Sequence, residues 1–497
     1  MTLGATWSIC AYSLAFLSLW LVLVFIRRAY LHPLSCFPGP RLAAWTPLYK
    51  AYYEAIKGGQ WVHHVDKLHE AYGDVVRVGP NELHFNDYRV YHKIFSISGQ
   101  FTKDPSFYSC FGVGMSTFGL MDPEQARLSR ELMSTYFSRR AVLQLESVIQ
   151  SKVDKLIQLL SSRENPSDMF YAFRCATMDI ITTYCFQSPL GCLDSDNFKA
   201  PLLTDIQTAV SLLWTMKSFP WIIPVIPFLP TYLGGRLQEQ CQAFLNVQSF
   251  VNTAISVVQQ NAALQDTRKV LQGIAGVFDC LLERFPSLGA ARLFHEGLSL
   301  IQAGSDPVAN TCIVGFFHVL RNPSIHSRLK KELQAAFPGP NAKPGWTELE
   351  RIPYLTAILK ESLRMSHGFV SPLPRVVGPL GAELAGHQIP PKTIVSISAV
   401  SVHNHRDLFP EPHRFRPERW LESKDLSQHL VAFSKGPRMC LGLNMAWAEL
   451  YAFFGTMFLK LDMVLVDASP DDYADFHDYF IPIHTGKNLH IQVTQSS

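Results

Sequence analysis

From Trp7 to Ile26 the chain carries no charged residue, and Leu, Val, Phe and Ile dominate. A run of roughly twenty apolar residues matches one helical crossing of a bilayer's hydrocarbon core. Arg27 and Arg28 follow at once. Their positive charge puts the body of the protein in the cytosol and the short N-terminus across the membrane, in the lumen of the endoplasmic reticulum. A cleaved signal peptide is the rival, but the run is long for such a segment and no basic stretch precedes it. His32-Pro33-Leu34 and Phe37-Pro38-Gly39-Pro40 then fix the backbone and stop any helix. Residues 1–28 are expected to be a membrane anchor, 29–45 a proline-rich hinge, and 46–497 the folded body.

Apolar residues alternate between Asp74 and Asn86, which predicts a hairpin. Helical spacing runs from Pro123 to Ser161, Ser167 to Phe186, Gly235 to Phe285, Ala290 to Arg321 and Pro323 to Phe337. A short helix over Tyr354–Ser366 precedes Gly/Pro-rich, strand-like pieces from Pro372 to Ser401, and a final helix starts near Leu441. The pattern predicts one mainly α domain with minor β-sheets and no internal repeat. Phe219 to Pro230 is different: four prolines forbid a continuous helix, yet the residues between them are large and apolar. We expect this segment to dip into the membrane interface; the alternative is an irregular loop buried under the protein's own helices.

Composition narrows the class. Apolar residues make up 47% of 497 and charged residues 17%, enough for a large core and unlike a disordered chain. A net charge of +3 without a basic stripe gives no basis for nucleic-acid binding. Ten cysteines are scattered without a C-x-x-C pair, which suits a reduced, cytosol-facing body.

The strongest chemical signal is Phe433-Ser-Lys-Gly436-Pro-Arg438-Met-Cys440-Leu-Gly442, leading into an amphipathic run from Asn444 to Lys460. A cysteine thiolate can ligate a haem iron and push electron density onto it to favour O–O cleavage. The metal keeps that sulfur deprotonated. Gly436 and Gly442 let the backbone pass close to a porphyrin face. N–H groups at the following helix start can hydrogen-bond the sulfur, and the Arg438 guanidinium suits a propionate. Phe433 would pack near the sulfur. The alternative is a free buried cysteine beside a Gly/Pro loop.

This F-x-x-G-x-R-x-C-x-G pattern resembles the haem-binding loop of the cytochrome P450 family. Glu361-Ser-Leu-Arg364 resembles its E-x-x-R, Pro417-Glu-Arg419-Trp420 its P-E-R-W/F segment, and Ala303-Gly-Ser-Asp306 its A-G-x-D/E, all in the right order. On a helix Glu361 and Arg364 share a face and can form a buried ion pair, which the family's third member, here Arg419, joins. The resemblance covers nearly the whole chain. It implies the cytochrome P450 fold after one N-terminal transmembrane helix, haem b (iron protoporphyrin IX) on Cys440, and monooxygenation with O2. It also implies propionate contacts from Arg438, Arg130 and Arg375. Ala126 stands where the family has an aromatic residue or histidine four places before the Arg130 position, which removes one such contact.

The family's A-G-x-D/E-T ends here in Pro307 instead of threonine. Proline has neither hydroxyl nor backbone N–H, so it deletes the usual proton-relay group and kinks the helix. Asp306, Ser305 or Thr311, through ordered water, is expected to carry protons instead. If delivery is weak, the enzyme runs non-hydroxylating chemistry such as desaturation, rearrangement or isomerisation.

Pocket walls are expected from Phe101–Leu120, Val210–Met216, Leu298–Ser305, Phe369–Leu373 and Tyr479–Ile483, mostly apolar and suited to a hydrophobic small molecule arriving from membrane lipid. The His32-Pro-Leu-Ser start and the Tyr52-Tyr53 region resemble fungal members, including the trichodiene-oxygenase-like branch. That implies secondary metabolism, with a terpenoid-type substrate favoured. No Walker loop and no flavin or nicotinamide fingerprint occurs. Electrons are therefore expected from NADPH-cytochrome P450 reductase, with or without cytochrome b5, docking on basic residues such as Lys435, Arg127 and Arg139. A non-catalytic haem sensor and a haem-free membrane scaffold are the competing classes.

Overall fold

The computed structural model describes residues 2–96, 101–188, 190–228, 231–263, 275–339 and 342–494. Helix α1 (Thr2–Ile26) continues through a π-helical turn, Arg27–Leu31. Over Tyr12–Leu31 it is long and apolar enough to cross a membrane. It ends at Leu31, past the expected boundary at residue 28. Arginines do not break a helix; the residue before a proline does, and His32 is extended.

The expected hinge is pinned to the body. The Pro38 carbonyl accepts from the Arg77 N–H at 2.7 Å. A Cβ on Gly39 would lie 2.3 Å from the Arg77 carbonyl oxygen, so only glycine allows this approach. Helix α2 (Arg41–Trp45) then returns to the anchor. Arg28 Nη1 donates to the Trp45 carbonyl at 2.6 Å, and the Phe25 and Trp45 ring centroids are 3.6 Å apart.

The predicted hairpin forms as β1 (Val75–Gly79) and β2 (Glu82–Phe85), with Val75 opposite Phe85. It joins β3 (Phe101–Lys103), β4 (Arg375–Val377) and β5 (Ile394–Ser396) in a sheet ordered β1-β2-β5-β4-β3. Only the β2–β5 pairing is parallel. The register of β3 on β4 sets Lys103 opposite Arg375.

Helices make the rest of the body. The first expected helical stretch divides into α3 (Pro123–Ser134) and α4 (Arg139–Ser161) because Ser138 caps the second, accepting from the Ala141 N–H. Next come α5 (Met169–Phe186), α6 (Leu213–Ser218) and α7 (Thr231–Ala263). The expected helix to Phe285 crosses residues 264–274, which lie outside the described residues; a helix over Val277–Arg284 follows. The stretch from Ala290 divides at Ser305 into α8 (Ala290–Gly304) and α9 (Asp306–Arg321). Then follow α10 (Pro323–Ala336), α11 (Pro353–Ser366) and α12 (Leu443–Lys460). A C-terminal hairpin pairs β6 (Phe476–Tyr479) with β7 (Ile481–His484).

Helices α5, α9 and α12 are buried along most of their length, as helices without a polar face must be. Phe173 of α5, Phe316 of α9 and Phe454 of α12 interlock, with centroids 5.0 Å and 4.8 Å apart along that chain of rings. The proline-rich segment forms a 3-10 helix over Pro220–Phe228. It leaves Trp221, Val225 and Phe228 exposed and buries Ile226; residues 229 and 230 lie outside the described residues.

Helix α11 carries a buried ionic knot. The Glu361 carboxylate accepts two bonds from Arg364, at 2.9 Å each, and one from Arg419 Nε at 3.1 Å. The Arg416 backbone N–H and Trp420 Nε1 add two more at 2.9 Å. Burial pushes the Glu361 pKa up, but Arg364, Arg419 and the Arg416 N–H outweigh it and leave it below the ordinary value. A depressed carboxylate stabilises the fold above its unfolded pKa, and that contribution is lost as pH falls through the folded value. Glu361→Gln is expected to lose about 3–5 kcal/mol by stranding two buried arginines. It should also flatten the acid limb of stability in chemical unfolding measured from neutral to low pH.

Candidate active site

The Cys440 loop is shaped by two close approaches. Gly436 has a φ of +70°, and a Cβ there would lie 2.0 Å from the Phe95 carbonyl oxygen. The Cys440 N–H donates to the Phe433 carbonyl at 2.8 Å, closing the loop on itself. The Phe433 ring lies 6.2 Å from that of Trp447. Gly442 stands at the cap of α12, and its N–H bonds the Cys440 sulfur. A Cβ on Gly442 would meet open space, so its use here is backbone donation rather than steric fit. Burial pushes the Cys440 thiol up, against the Gly442 N–H and the Arg130 charge. No disulfide links any described cysteine.

Four cations converge beside this loop. Arg438 Nη2 donates to the Leu120 carbonyl at 2.5 Å and, more weakly, to those of Thr117 and Phe118 at 3.4 Å. Arg375 Nη1 donates to the Tyr108 hydroxyl at 2.5 Å. Arg130 Nη1 donates to the Met439 carbonyl at 2.7 Å. Lys103, 6% exposed, donates to the Phe118 carbonyl and lies 4.1 Å from the ring centroids of Tyr108 and Phe118. Among the described residues, no carboxylate pairs with any of the four. Burial and Arg375 push the Arg438 pKa down to about 10. Burial, Arg438 and Arg375 push Lys103 well below its ordinary value. Like charges directly opposite on paired strands, as Lys103 and Arg375 are, repel unless an anion joins them. The constellation fits an iron-bearing group with carboxylates at its edge. Lys103 escapes sequence inspection because only the β3–β4 pairing brings it to Arg375.

The carbonyls that Arg438 and Lys103 use belong to a loop that α8 also holds. The Thr117 N–H and hydroxyl donate to Glu296 Oε1 at 2.7 Å and 2.6 Å, and the Met115 N–H donates to His295 Nδ1 at 2.9 Å. Glu296, too, belongs to no motif in the sequence.

The helix break falls where Pro307 predicts it. Ser305 leaves helical geometry at φ −112° and ψ −65°, and Pro307 stands in the first turn of α9. The three expected relay residues do not converge. Ser305 Oγ is 3.0 Å from Thr177 Oγ1 of α5 and donates to the Arg174 carbonyl at 3.2 Å. Asp306 is ion-paired with buried Arg174 at 2.6 Å and accepts from Gln207 Nε2 at 3.1 Å. Both residues follow the break and turn onto α5. Thr311 faces α11 instead: its hydroxyl donates to the Pro307 carbonyl at 2.9 Å and lies 2.9 Å from Ser366 Oγ.

Four of the five expected pocket walls meet in an aromatic group. Phe107, Phe111 and Phe118 come from the first, Trp214 from the second, Phe369 from the fourth and Phe480 from the fifth. The third wall, Leu298–Ser305, supplies no ring. Two of the expected docking cations are already paired: Arg127 with Glu124 and Glu131, and Arg139 with Glu350.

A helical body with a cysteine loop facing uncompensated cations defines a haem-thiolate protein. A family model described as Cytochrome P450 matches residues 40–481. The chain is 34% identical to conidiogenone synthase PchP450 of Penicillium rubens, over 95% of this chain and 96% of that protein. It is also 34% identical to tryptophan 6-hydroxylase fscE of Fusarium equiseti, over 92% and 91%. The cytochrome P450 monooxygenase aflU of Aspergillus parasiticus matches at 34%, over 88% and 89%. The chain belongs to the cytochrome P450 family and is a monooxygenase enzyme, which sets aside the sensor and scaffold classes. Haem b on a cysteine thiolate is the cofactor of this family.

Lys103→Met is expected to act in opposite directions on the two forms. The apoprotein should melt higher, because an unpaired buried cation is gone. The holoprotein should lose haem to excess apomyoglobin roughly tenfold faster, the worth of one charge-assisted hydrogen bond.

Proposed function

We propose that Cys440 would ligate the iron of haem b, that Arg438, Arg375, Arg130 and Lys103 would hold its propionates, and that the enzyme inserts one oxygen atom of O2 into a hydrophobic small molecule. The observation that carries this is the cluster of buried Lys103 and Arg375 with half-buried Arg130 and Arg438, without a carboxylate partner among the described residues, beside a cysteine whose sulfur takes the Gly442 N–H. When bound, the haem supplies the iron at which O2 is activated. The chain's own residues do the rest. Gly442 stabilises charge on the sulfur, the Glu361 knot holds α11 behind the cysteine loop, and the aromatic wall excludes water and orients substrate. Of the three relay candidates, Thr311 is the one we assign to move protons, with Ser366 as the next hydroxyl in line. Ser305 and Asp306 are committed to α5.

Position 307 lacks a hydroxyl, and this favours a second reading in which the same site desaturates, rearranges or isomerises its substrate. The relatives include a conidiogenone synthase and a tryptophan 6-hydroxylase, so their names do not choose a substrate. The apolar wall supports a terpenoid-type compound of fungal secondary metabolism. Trp221 and Phe228, 69% and 85% exposed, support a second contact with the endoplasmic reticulum membrane beside α1, through which such a compound would arrive. Electrons would come from NADPH through cytochrome P450 reductase, with cytochrome b5 as an auxiliary donor. Lys435 has no carboxylate partner among the described residues and is the cation freest to dock either one.

Reconstitution with the reductase and candidate hydrophobic metabolites under labelled dioxygen tests the main reading. Label is expected in the product, and Cys440→Ser should abolish both turnover and the red-shifted spectrum of the reduced carbon monoxide complex. An oxidised product without label would establish the second reading. Thr311→Ala is expected to raise hydrogen peroxide leakage several-fold at the expense of product, while Ser305→Ala leaves coupling unchanged. Equal effects would overturn the assignment of Thr311.

A further inference from the structure

Histidines meet nitrogen to nitrogen at several places among the described residues, and one pair is built differently from the rest. His69 Nε2 and His84 Nδ1 stand 2.7 Å apart with ring centres at 5.0 Å. His367 Nδ1 and His403 Nδ1 stand 3.3 Å apart with ring centres at 5.6 Å. In both pairs the nitrogens aim straight at each other and all four rings are buried. Other bonds occupy them too: His69 Nδ1 meets the Gly73 carbonyl at 2.7 Å, and His403 Nε2 accepts from the Val431 N–H at 2.9 Å. His92 Nε2 and His429 Nδ1 are 3.2 Å apart, yet their ring centres are only 5.2 Å apart, with the planes at 71°. These two nitrogens point away from the line that joins them.

Two imidazoles on one metal ion take this arrangement. With zinc–nitrogen bonds of about 2.0–2.1 Å and a tetrahedral angle, the nitrogens lie about 3.3 Å apart and the ring centres about 5.2 Å. The backbone presets the pair. His92 stands on the helix Tyr88–Ile94, which Asp87 caps by accepting from the Arg89 N–H at 2.9 Å. His429 ends the 3-10 turn Asp425–His429, and the Tyr88 ring stands edge-on to it at 5.3 Å and 89°. Both rings are half-buried, so solvent reaches them. Burial and the Lys435 charge hold both below the ordinary histidine pKa, which leaves them neutral at neutral pH. No third histidine, cysteine or carboxylate joins them among the described residues, so water would complete the coordination, as in an open zinc site. The next residue, Tyr91, reaches Ser434 of the cysteine loop, hydroxyl to hydroxyl, at 3.5 Å.

We propose that His92 and His429 bind one divalent transition metal ion, zinc or copper(II), and that the bound ion ties the helix Tyr88–Ile94 to the chain leading into the cysteine loop. The site uses no residue assigned to haem or substrate, so it goes beyond that reading and does not depend on it. Imidazole nitrogen selects these ions over magnesium and calcium, which prefer oxygen. Lys435 acts in two directions: it keeps protons off the rings, and its charge repels a dication. The ion is therefore held reversibly rather than as a permanent part of the fold.

Calorimetric titration of the full-length holoprotein with zinc chloride tests this. The unaltered chain is expected to bind one zinc ion and to melt at a higher temperature with it. His92→Ala and His429→Ala should each weaken binding roughly tenfold or more, since each removes one of two protein ligands. His92→Gln, which can still hydrogen-bond His429 but ligates zinc poorly, should melt like the unaltered chain in the presence of a chelator and lose the zinc-dependent rise. His429→Gln serves if that variant does not fold. Lys435→Met should bind zinc more tightly, because a neighbouring like charge is gone, and magnesium chloride should give no rise in any form. Equal zinc affinity in the unaltered chain, His92→Ala and His429→Ala, or no zinc binding by the unaltered chain, overturns the inference. The haem reading is judged apart from it, by the spectrum of the reduced carbon monoxide complex, which neither zinc nor the histidine variants should move.

Discussion

Charge buried away from water has to be neutralised, and this requirement organises the protein. At Glu361 the chain meets it alone: one carboxylate takes five hydrogen bonds from two arginines, a backbone N–H and an indole. Beside Cys440 the chain leaves it unmet. Lys103, Arg130, Arg375 and Arg438 lean on carbonyls and a phenol, which orient cations without cancelling their charge. The first arrangement is complete in the polypeptide and holds α11 and the segment after Pro417 together. The second has no carboxylate partner among the described residues, and β3, β4, the loop over Val113–Leu120 and the cysteine loop all contribute to it.

Much of this was legible in the chain because local rules govern it. The hairpin over Asp74–Asn86, the Glu361–Arg364 pair and the helix break at Pro307 follow from period, spacing and the chemistry of proline, while Arg419 as the pair's third member came from the family resemblance. The end of the first helix at Leu31, before extended His32, follows from the prolines that succeed it. The relay set was harder to read. Spacing put Ser305, Asp306 and Thr311 on one stretch of helix, but the break rotates the first two onto α5, where Thr177 and Arg174 hold them. Lys103 and Glu296 were invisible for a related reason: their roles come from pairings across hundreds of residues that no local pattern encodes.

The break itself balances two demands. A proline at 307 costs a helical hydrogen bond and a hydroxyl, yet it fixes a groove in the helix permanently. Gly304 immediately before it packs on Ile181, where any Cβ would lie 2.6 Å from a side-chain carbon. The break is thus held from both flanks, by a residue that cannot be larger and one that cannot donate a backbone hydrogen bond. Thr311, bonded back to the Pro307 carbonyl, restores a hydroxyl one turn further along.

The clasp between Arg28, Phe25 and Trp45 bears on how the enzyme rides on its membrane. A tether would let the globule swivel and bob above the lipid. A stalk bolted at its base fixes the tilt of the globule against helix α1, and with it the bearing of the Trp221–Phe228 edge.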